Sequence, residues 1–122
     1  MAFVNPKTAA DLAAEKLAQD KAKALSQALS TFNAGVSELV KGIPETERES
    51  WSKQEYEAKN VLADPSFPAP YLEQLALSRG LNETKEELAA KVMSNVAIYE
   101  LAHATLLGAY QKKVKAIESE YA

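Results

Sequence analysis

Residues 85–121 have the sequence KEELAAKVMSNVAIYELAHATLLGAYQKKVKAIESEY, and this stretch decides the fold. No proline interrupts it, and its apolar residues recur at steps of three and four, the spacing of one helix face. Just before and within it, Thr84 and Glu87 have the spacing of a capping box, which satisfies free backbone N–H groups at a helix start. We therefore predict a long helix over 85–121. Its inward stripe is Leu88, Val92, Val96, Tyr99, His103, Leu106, Tyr110, Val114 and Ile117.

A second long helix is predicted over residues 6–41. Asn5 is a good N-cap, Pro6 is tolerated at the first helical position, and Gly42 suits the left-handed residue that follows a helix. Upstream of residue 18 the apolar pattern stops, so the first turns are expected to pack lightly. Downstream, an unbroken heptad seam comprises Ala18, Ala22, Leu25, Leu29, Phe32, Val36, Leu39 and Ile43.

Two short helices and a rigid corner are predicted between the long ones, in residues 44–84. A helical turn follows Pro44, and a capping box of Ser52 and Glu55 predicts a helix over 52–63. Its inward side is expected to carry Trp51, Glu55, Ala58 and Leu62. Prolines exclude a helix over 64–69, and a further short helix is predicted over 70–79. The residues expected to fix this corner are Trp51, Pro65, Pro68, Pro70 and Gly80.

The whole chain is predicted to be all-α. Alanine and leucine are threaded through Lys, Glu and Gln, which are strong helix formers, and a chain of 122 residues has room for one modest core. The two long predicted helices have matching lengths, which favours a long antiparallel helical hairpin with two short helices in its connection. We expect one domain over residues 1–122.

Self-association is expected, because residues 92–110 are apolar on more faces than one partner helix can cover. Contact with a partner protein or with further copies of the chain would cover such surface. The expected interaction seam comprises Leu25, Leu29, Phe32, Val36, Leu39, Val96, Tyr99, Leu106 and Tyr110.

Composition argues against several classes of partner and compartment. The formal net charge of −3 gives no general attraction for nucleic acid or anionic lipid. The absence of cysteine excludes disulfides and thiolate chemistry. The weakly charged stretch 92–111 is too polar for a membrane span, and the N-terminal residues lack the pattern of a signal peptide. Synthesis in a cytoplasm is therefore expected.

Candidate sites for chemistry are few, and each has a structural interpretation. Glu100 and the single histidine, His103, have the i, i+3 spacing of di-iron bundles, but one pair favours a packed histidine over a metal ligand. Residues 75–88 have the helix–glycine–helix order of a DNA-binding helix-turn-helix, although residues 44–84 carry four basic and eight acidic side chains. We predict no catalytic residue, no metal, no cofactor and no nucleic-acid partner.

The central segment resembles a helical module of phage tail-fibre assembly and tail-associated proteins. The motifs that carry the resemblance follow one another from Pro44 to Val92. They are Pro44, Ser50-Trp51-Ser-Lys-Gln54-Glu55-Tyr-Glu57-Ala58, Leu62-Ala63-Asp64-Pro65-Ser66, Pro68-Ala-Pro70, Leu75-Ala76-Leu-Ser-Arg79-Gly80 and Leu88-Ala89-Ala-Lys91-Val92. Members of that family tend to have an alanine-rich helix before the tryptophan and a long closing helix, as this chain has.

The resemblance implies a non-enzymatic protein that binds or assembles a phage tail fibre. The implied role is that of an assembly chaperone in the host cytoplasm or of a small component of the virion tail. This chain lacks the β-rich N-terminal portion of many assembly proteins, which leaves both roles open. The alternatives are an oligomeric helical scaffold or adaptor unrelated to phage and, further off, a helix-turn-helix-like nucleic-acid binder.

Overall fold

The computed structural model describes residues 6–122, and that part of the chain is all-α, as predicted. The five helices are α1 (Ala9–Leu39), α2 (Glu45–Glu49), α3 (Trp51–Ala63), α4 (Pro70–Arg79) and α5 (Lys85–Glu120). They account for 81% of the described residues, which include no strand. None of these helices is both long enough and apolar enough to cross a membrane.

The start of α1 lies three residues after the predicted position at Pro6. Thr8 and Asp11 form a reciprocal capping box, in which the backbone N–H of Asp11 donates to Thr8 Oγ1 over 3.1 Å and that of Thr8 donates to Asp11 Oδ2 over 3.0 Å. The two hydrogen bonds satisfy the N–H groups of Thr8 and Asp11, and the helix begins between these residues, at Ala9. The predicted cap at Asn5 lies outside the described residues. At the other end, Gly42 has the predicted left-handed conformation, with φ of 80°.

The predicted capping boxes of the two later helices had different outcomes. At α5 the predicted cap forms, because the N–H of Glu87 donates to Thr84 Oγ1 over 3.1 Å, whereas the carboxylate of Glu87 accepts from the Thr84 hydroxyl over 3.3 Å and not from its N–H. At α3 the prediction of a box between Ser52 and Glu55 is wrong. Ser50 is already helical, with φ −84° and ψ −9°, and its N–H bonds the carbonyl of Glu47. The helical chain arrives from α2, so α3 has no open start for a side chain to cap.

The corner between α3 and α4 is non-helical, as predicted, and a turn at Asp64 that was not predicted lies within it. Asp64 Oδ1 accepts hydrogen bonds from both the N–H and the hydroxyl of Ser66, over 3.0 Å and 2.7 Å. Pro70 occupies the first turn of α4, where its missing N–H is not needed. Gly80 ends that helix with φ of 67°, a left-handed conformation that glycine adopts without strain.

Two compact units divide the described residues: Leu39–His103, and residues 6–38 together with 104–122. The core of the Leu39–His103 unit brings α3 and α4 together with the first turns of α5. Its buried members are small or branched aliphatic side chains: Ala58, Val61, Ala69, Leu72, Ala76, Leu88, Ala89 and Val92.

The predicted inward side of α3 is confirmed at Ala58, Trp51 and Glu55, which are buried or half-buried, but not at Leu62. Glu57, Ala58 and Val61 are buried, whereas Leu62 is 49% exposed. The burial of Glu57 has a physical reason, because its Oε1 accepts a hydrogen bond of 3.0 Å from the N–H of Leu72 in the first turn of α4. The N-cap residue of α4 is Ala69, whose methyl group cannot accept a hydrogen bond. A carboxylate from α3 therefore caps the start of α4 and suits its positive dipole end.

The unit of residues 6–38 and 104–122 has a smaller core. The rings of Phe32 and Tyr110 stack with centroids 5.3 Å apart. Gly35 leaves room for Leu106, whose Cδ2 would lie 2.8 Å from a Cβ at that glycine. Ala28 is buried here and Leu29 is 45% exposed, so the inward face of α1 departs from the predicted heptad positions. A straight helix repeats every 3.6 residues, and a heptad pattern drifts around it.

The predicted inward stripe of α5 is confirmed, since all nine of its residues are buried or half-buried. The expectation of light packing at the start of α1 is also confirmed, because every residue from 6 to 19 is exposed. Other faces of α5 stay uncovered within the chain: Ile98 is 66% exposed and Leu101 is 74% exposed.

Candidate protein-binding groove

An open groove of about 900 Å³ lies within the Leu39–His103 unit. One wall is formed by α2 and the first turns of α3, the other by α5 from Leu88 to Ala102, and Leu39 and Ile43 also line it. Its lining mixes apolar side chains with charged ones. The apolar members are Leu39, Ile43, Trp51, Leu88, Val92, Val96, Ile98, Tyr99 and Ala102, and the charged members are Glu47, Arg48, Glu55, Arg79, Lys91 and Glu100.

An aromatic pair contributes to the lining of this groove. The ring of Trp51 contacts that of Tyr99 edge to face, with centroids 5.3 Å apart and planes 65° apart. The ring of His103 lies one turn further along α5, 5.8 Å from Tyr99. Trp51 stands at the first position of α3, and the helical link through Ser50 fixes its place against α5. Both aromatic side chains are half-buried, so part of each ring remains available to another molecule.

A charged triad stands at the Leu88 end of the groove. Lys91 Nζ lies 2.6 Å from Glu83 Oε2 and donates a hydrogen bond to it, and Arg79 Nε lies 2.6 Å from Oε1 without the linear geometry of a hydrogen bond. The side chain of Glu83 is only 3% exposed. The hydrogen bond from Lys91 lowers the pKa of Glu83 below its usual 4.5; burial opposes this shift and the charge of Arg79 assists it.

The loop before α5 places Glu83 between its two cations. Gly80 and Asn82 both adopt left-handed backbone conformations, with φ of 67° and 55°. Two such residues turn the chain sharply enough to bring Glu83 over the end of α4 and the start of α5. The left-handed conformation of Asn82 is one that asparagine tolerates better than most residues.

The residues predicted to form the interaction seam and the corner do not share one surface. Leu39, Val96, Tyr99 and Trp51 meet in the groove. Pro65, Pro68, Pro70 and Gly80 lie at the two ends of α4, away from the groove lining. The remaining predicted residues belong to the other compact unit: Leu25, Phe32, Val36, Leu106 and Tyr110, which are half-buried, and Leu29, which is exposed.

Sequence reasoning missed the polar members of the site. Glu57 and Glu83 are buried carboxylates, and the hydropathy pattern places both on polar positions. The i, i+4 spacing of Arg79 and Glu83 was the available signal for the triad. No local signal pairs Glu57 with Leu72, because their contact spans fifteen residues.

The chemical groups in the groove suit contact with another molecule. Three carboxylates, two guanidinium groups, one ammonium group and two aromatic rings surround its apolar walls. Within residues 6–122, no three His, Asp or Glu side chains lie together where they could hold a metal ion. Comparisons of the chain with protein-family models, with curated proteins and with solved structures found no match.

Proposed function

We propose that this chain is a non-catalytic phage tail-associated protein that binds or assembles the tail fibre, as an assembly chaperone or as a small virion component. The groove beside Trp51 is the observation that carries the proposal. The motifs that resemble the tail-fibre module run from Pro44 to Val92, and the compact unit that contains the groove spans Leu39–His103. The resembling segment therefore coincides with the part of the chain that offers a binding surface.

Three features of the groove support binding to a protein. Trp51 and Tyr99 are residue types that contribute strongly to protein interfaces, because they present large rigid surfaces with one polar group. Ile98, which also lines the groove, is 66% exposed and adds apolar surface to the same lining. Charged side chains surround these apolar residues, as a polar rim surrounds the apolar centre of an interface.

The arrangement of the two long helices is a further part of this proposal. Phe32 contacts Tyr110 and Gly35 contacts Leu106, so a later position in α1 contacts an earlier position in α5. These contacts support an antiparallel hairpin of α1 with the second half of α5, in which α2, α3 and α4 belong to the connection.

An oligomeric helical scaffold or adaptor with no phage connection is the second candidate. The observation that favours it is Leu29, which belongs to the heptad seam and yet is 45% exposed. Heptad residues that stay exposed in one chain are covered when helices of several chains associate. A scaffold of this kind would associate with itself and would capture no fibre protein.

Co-expression with a phage tail-fibre protein, followed by affinity purification, tests the proposal. We expect the fibre protein to co-purify in a fixed stoichiometry. Ile98→Asp places a charge in the groove and should abolish capture, since an unpaired charge in an apolar contact is strongly unfavourable. Leu101→Asp is the matched control, because Leu101 is 74% exposed on the same helix and does not line the groove. Equal capture by both variants, or no capture at all, would contradict the proposal.

A further inference from the structure

The charges around the aromatic pair are unbalanced. Glu55 lies one turn after Trp51 on α3, Glu100 follows Tyr99 on α5, and Glu47 lies one turn before Trp51 on α2. Within residues 6–122, none of these three carboxylates has an ion pair or a side-chain hydrogen bond. Arg48, next to Glu47 in the chain, is the one cation of the groove lining that does not pair with Glu83. Three carboxylates and one guanidinium group leave this end of the groove negative.

The other cations of the groove do not offset this charge. Arg79 and Lys91 both pair with Glu83, and Lys91 is nine residues from Glu100, about 13.5 Å along a helix that rises 1.5 Å per residue. Residues 39–103 as a whole carry seven basic and eleven acidic side chains, a formal charge of −4.

The secondary structure of the groove walls determines whether the groove suits a strand or a helix of a partner. A strand would need a sheet edge with free backbone groups, and the described residues include no strand. The walls of the groove are helices, whose backbone groups bond within each helix, so they offer side chains alone. An amphipathic helix binds to such walls by placing an apolar face in the groove. About two and a half turns of helix match the length between Lys91 and Glu100.

We propose that the groove binds a short amphipathic helix that carries lysine or arginine beside its apolar face. Apolar side chains of that helix lie against Trp51, Tyr99 and Ile98, and its cations pair with Glu47, Glu55 and Glu100. This inference rests on the proposed function, since it names the chemistry of the partner segment that the same groove would hold. It does not depend on the source of that segment.

Titration with two synthetic helices tests the inference, and Trp51 is the reporter because it is the sole tryptophan of the chain. Both peptides have eighteen residues, with leucine on one face and alanine and glutamine elsewhere; one has lysines beside the leucines and the other has glutamates. We expect the lysine peptide to shift the emission of Trp51 to shorter wavelength and to bind at least about tenfold more tightly than the glutamate peptide. Its affinity should fall as salt is raised, because the contributing charges are exposed.

Charge-reversed variants show which carboxylates produce the preference for the lysine peptide. The double change Glu55→Lys and Glu100→Lys should reduce the preference for the lysine peptide at least about tenfold. Glu118→Lys with Glu120→Lys alters the net charge equally but lies outside the groove, and should leave the preference unchanged. Circular dichroism of each variant checks that it remains folded. The salt titration uses the unchanged chain, so its result does not depend on the folding of any variant.

Four results would overturn the inference. The first is equal binding of the two peptides, and the second is an emission of Trp51 that responds to neither. The third is an equal loss of preference in both double variants, since general attraction between net charges would then explain the binding. The fourth is emission that shifts with the concentration of the chain alone, which would make a second copy the occupant. Failure to capture a fibre protein would instead contradict the proposed function and leave the peptide result standing.

Discussion

Glu57 shows how one buried carboxylate can determine the start of a neighbouring helix. It is 4% exposed and bonds the N–H of Leu72, in a helix whose N-cap is alanine. We predict that Glu57→Ala lowers the free energy of unfolding by about 2–3 kcal/mol, because the buried N–H loses its acceptor. Glu57→Gln should lower it by about 1 kcal/mol, since the amide oxygen still accepts but the charge at the helix start is lost. Urea unfolding of the three proteins measures both values, and equal losses would show that the acceptor is unimportant.

Glu83 makes the fold sensitive to acid. Its pKa in the folded state lies below the usual 4.5, chiefly because Lys91 donates a hydrogen bond to the carboxylate. A lowered folded pKa stabilises the fold above the unfolded pKa, and this contribution is lost as the pH falls through the folded pKa. We predict that Glu83→Gln is less stable than the native chain at pH 7 and that the difference shrinks below pH 4.5. Thermal melts across that range test this; a constant difference would contradict it.

At the scale of the helices, two glycines within α-helices have opposite surroundings. A Cβ at Gly108 would meet nothing within 4 Å, whereas one at Gly35 would lie 2.8 Å from Leu106 Cδ2. We predict that Gly108→Ala raises the free energy of unfolding by about 0.5–1 kcal/mol, because alanine loses less backbone entropy in a helix. Gly35→Ala should gain less, since Leu106 must shift. Melting temperatures of the two variants measure the contrast, and equal gains would argue against the contact of Gly35 with Leu106.

Helices and their ends could be predicted where the signal is local. The stripe of α5, the cap of Glu87 by Thr84 and the stop at Gly80 each depend on residues a few positions apart, and each is confirmed. The predicted box at Ser52 failed because the preceding residues are themselves helical, and a pattern of two residues does not reveal that. Leu29 was placed inward by the heptad spacing, but a straight helix turns it outward and buries Ala28 instead.

At the scale of the whole molecule, the uncovered apolar residues predict self-association. Leu29 is 45% exposed on α1, and we expect light scattering at micromolar concentration to give a mass above 13.3 kDa. Leu29→Asp should return the mass to that of one chain, because it places an unpaired charge in the contact. Leu12→Asp is the matched control, since Leu12 is 54% exposed on the same helix and outside the heptad seam, and it should leave the mass unchanged. A native chain that stays at 13.3 kDa would contradict the expectation.

The candidate site could be predicted only in its apolar part. Leu39, Val96 and Tyr99 were expected at an interaction surface and Trp51 at a corner, and the fold brings all four into one groove. The charges that give the groove its character come from α2, from Glu55 on α3, from the end of α4 and from two turns of α5. Their meeting depends on the angle that the corner at residues 64–69 sets between helices. A single sequence contains no local signal for that angle.

The central claim is that the groove of the Leu39–His103 unit is the surface that binds the fibre partner. Hydrogen–deuterium exchange of the chain, alone and with the co-purified fibre protein, tests it most directly. We predict that binding slows exchange in residues 39–55 and 88–102, the two walls of the groove, and leaves residues 9–19 of α1 unchanged. Slowed exchange confined to α1, or no change in either wall of the groove, would contradict the claim.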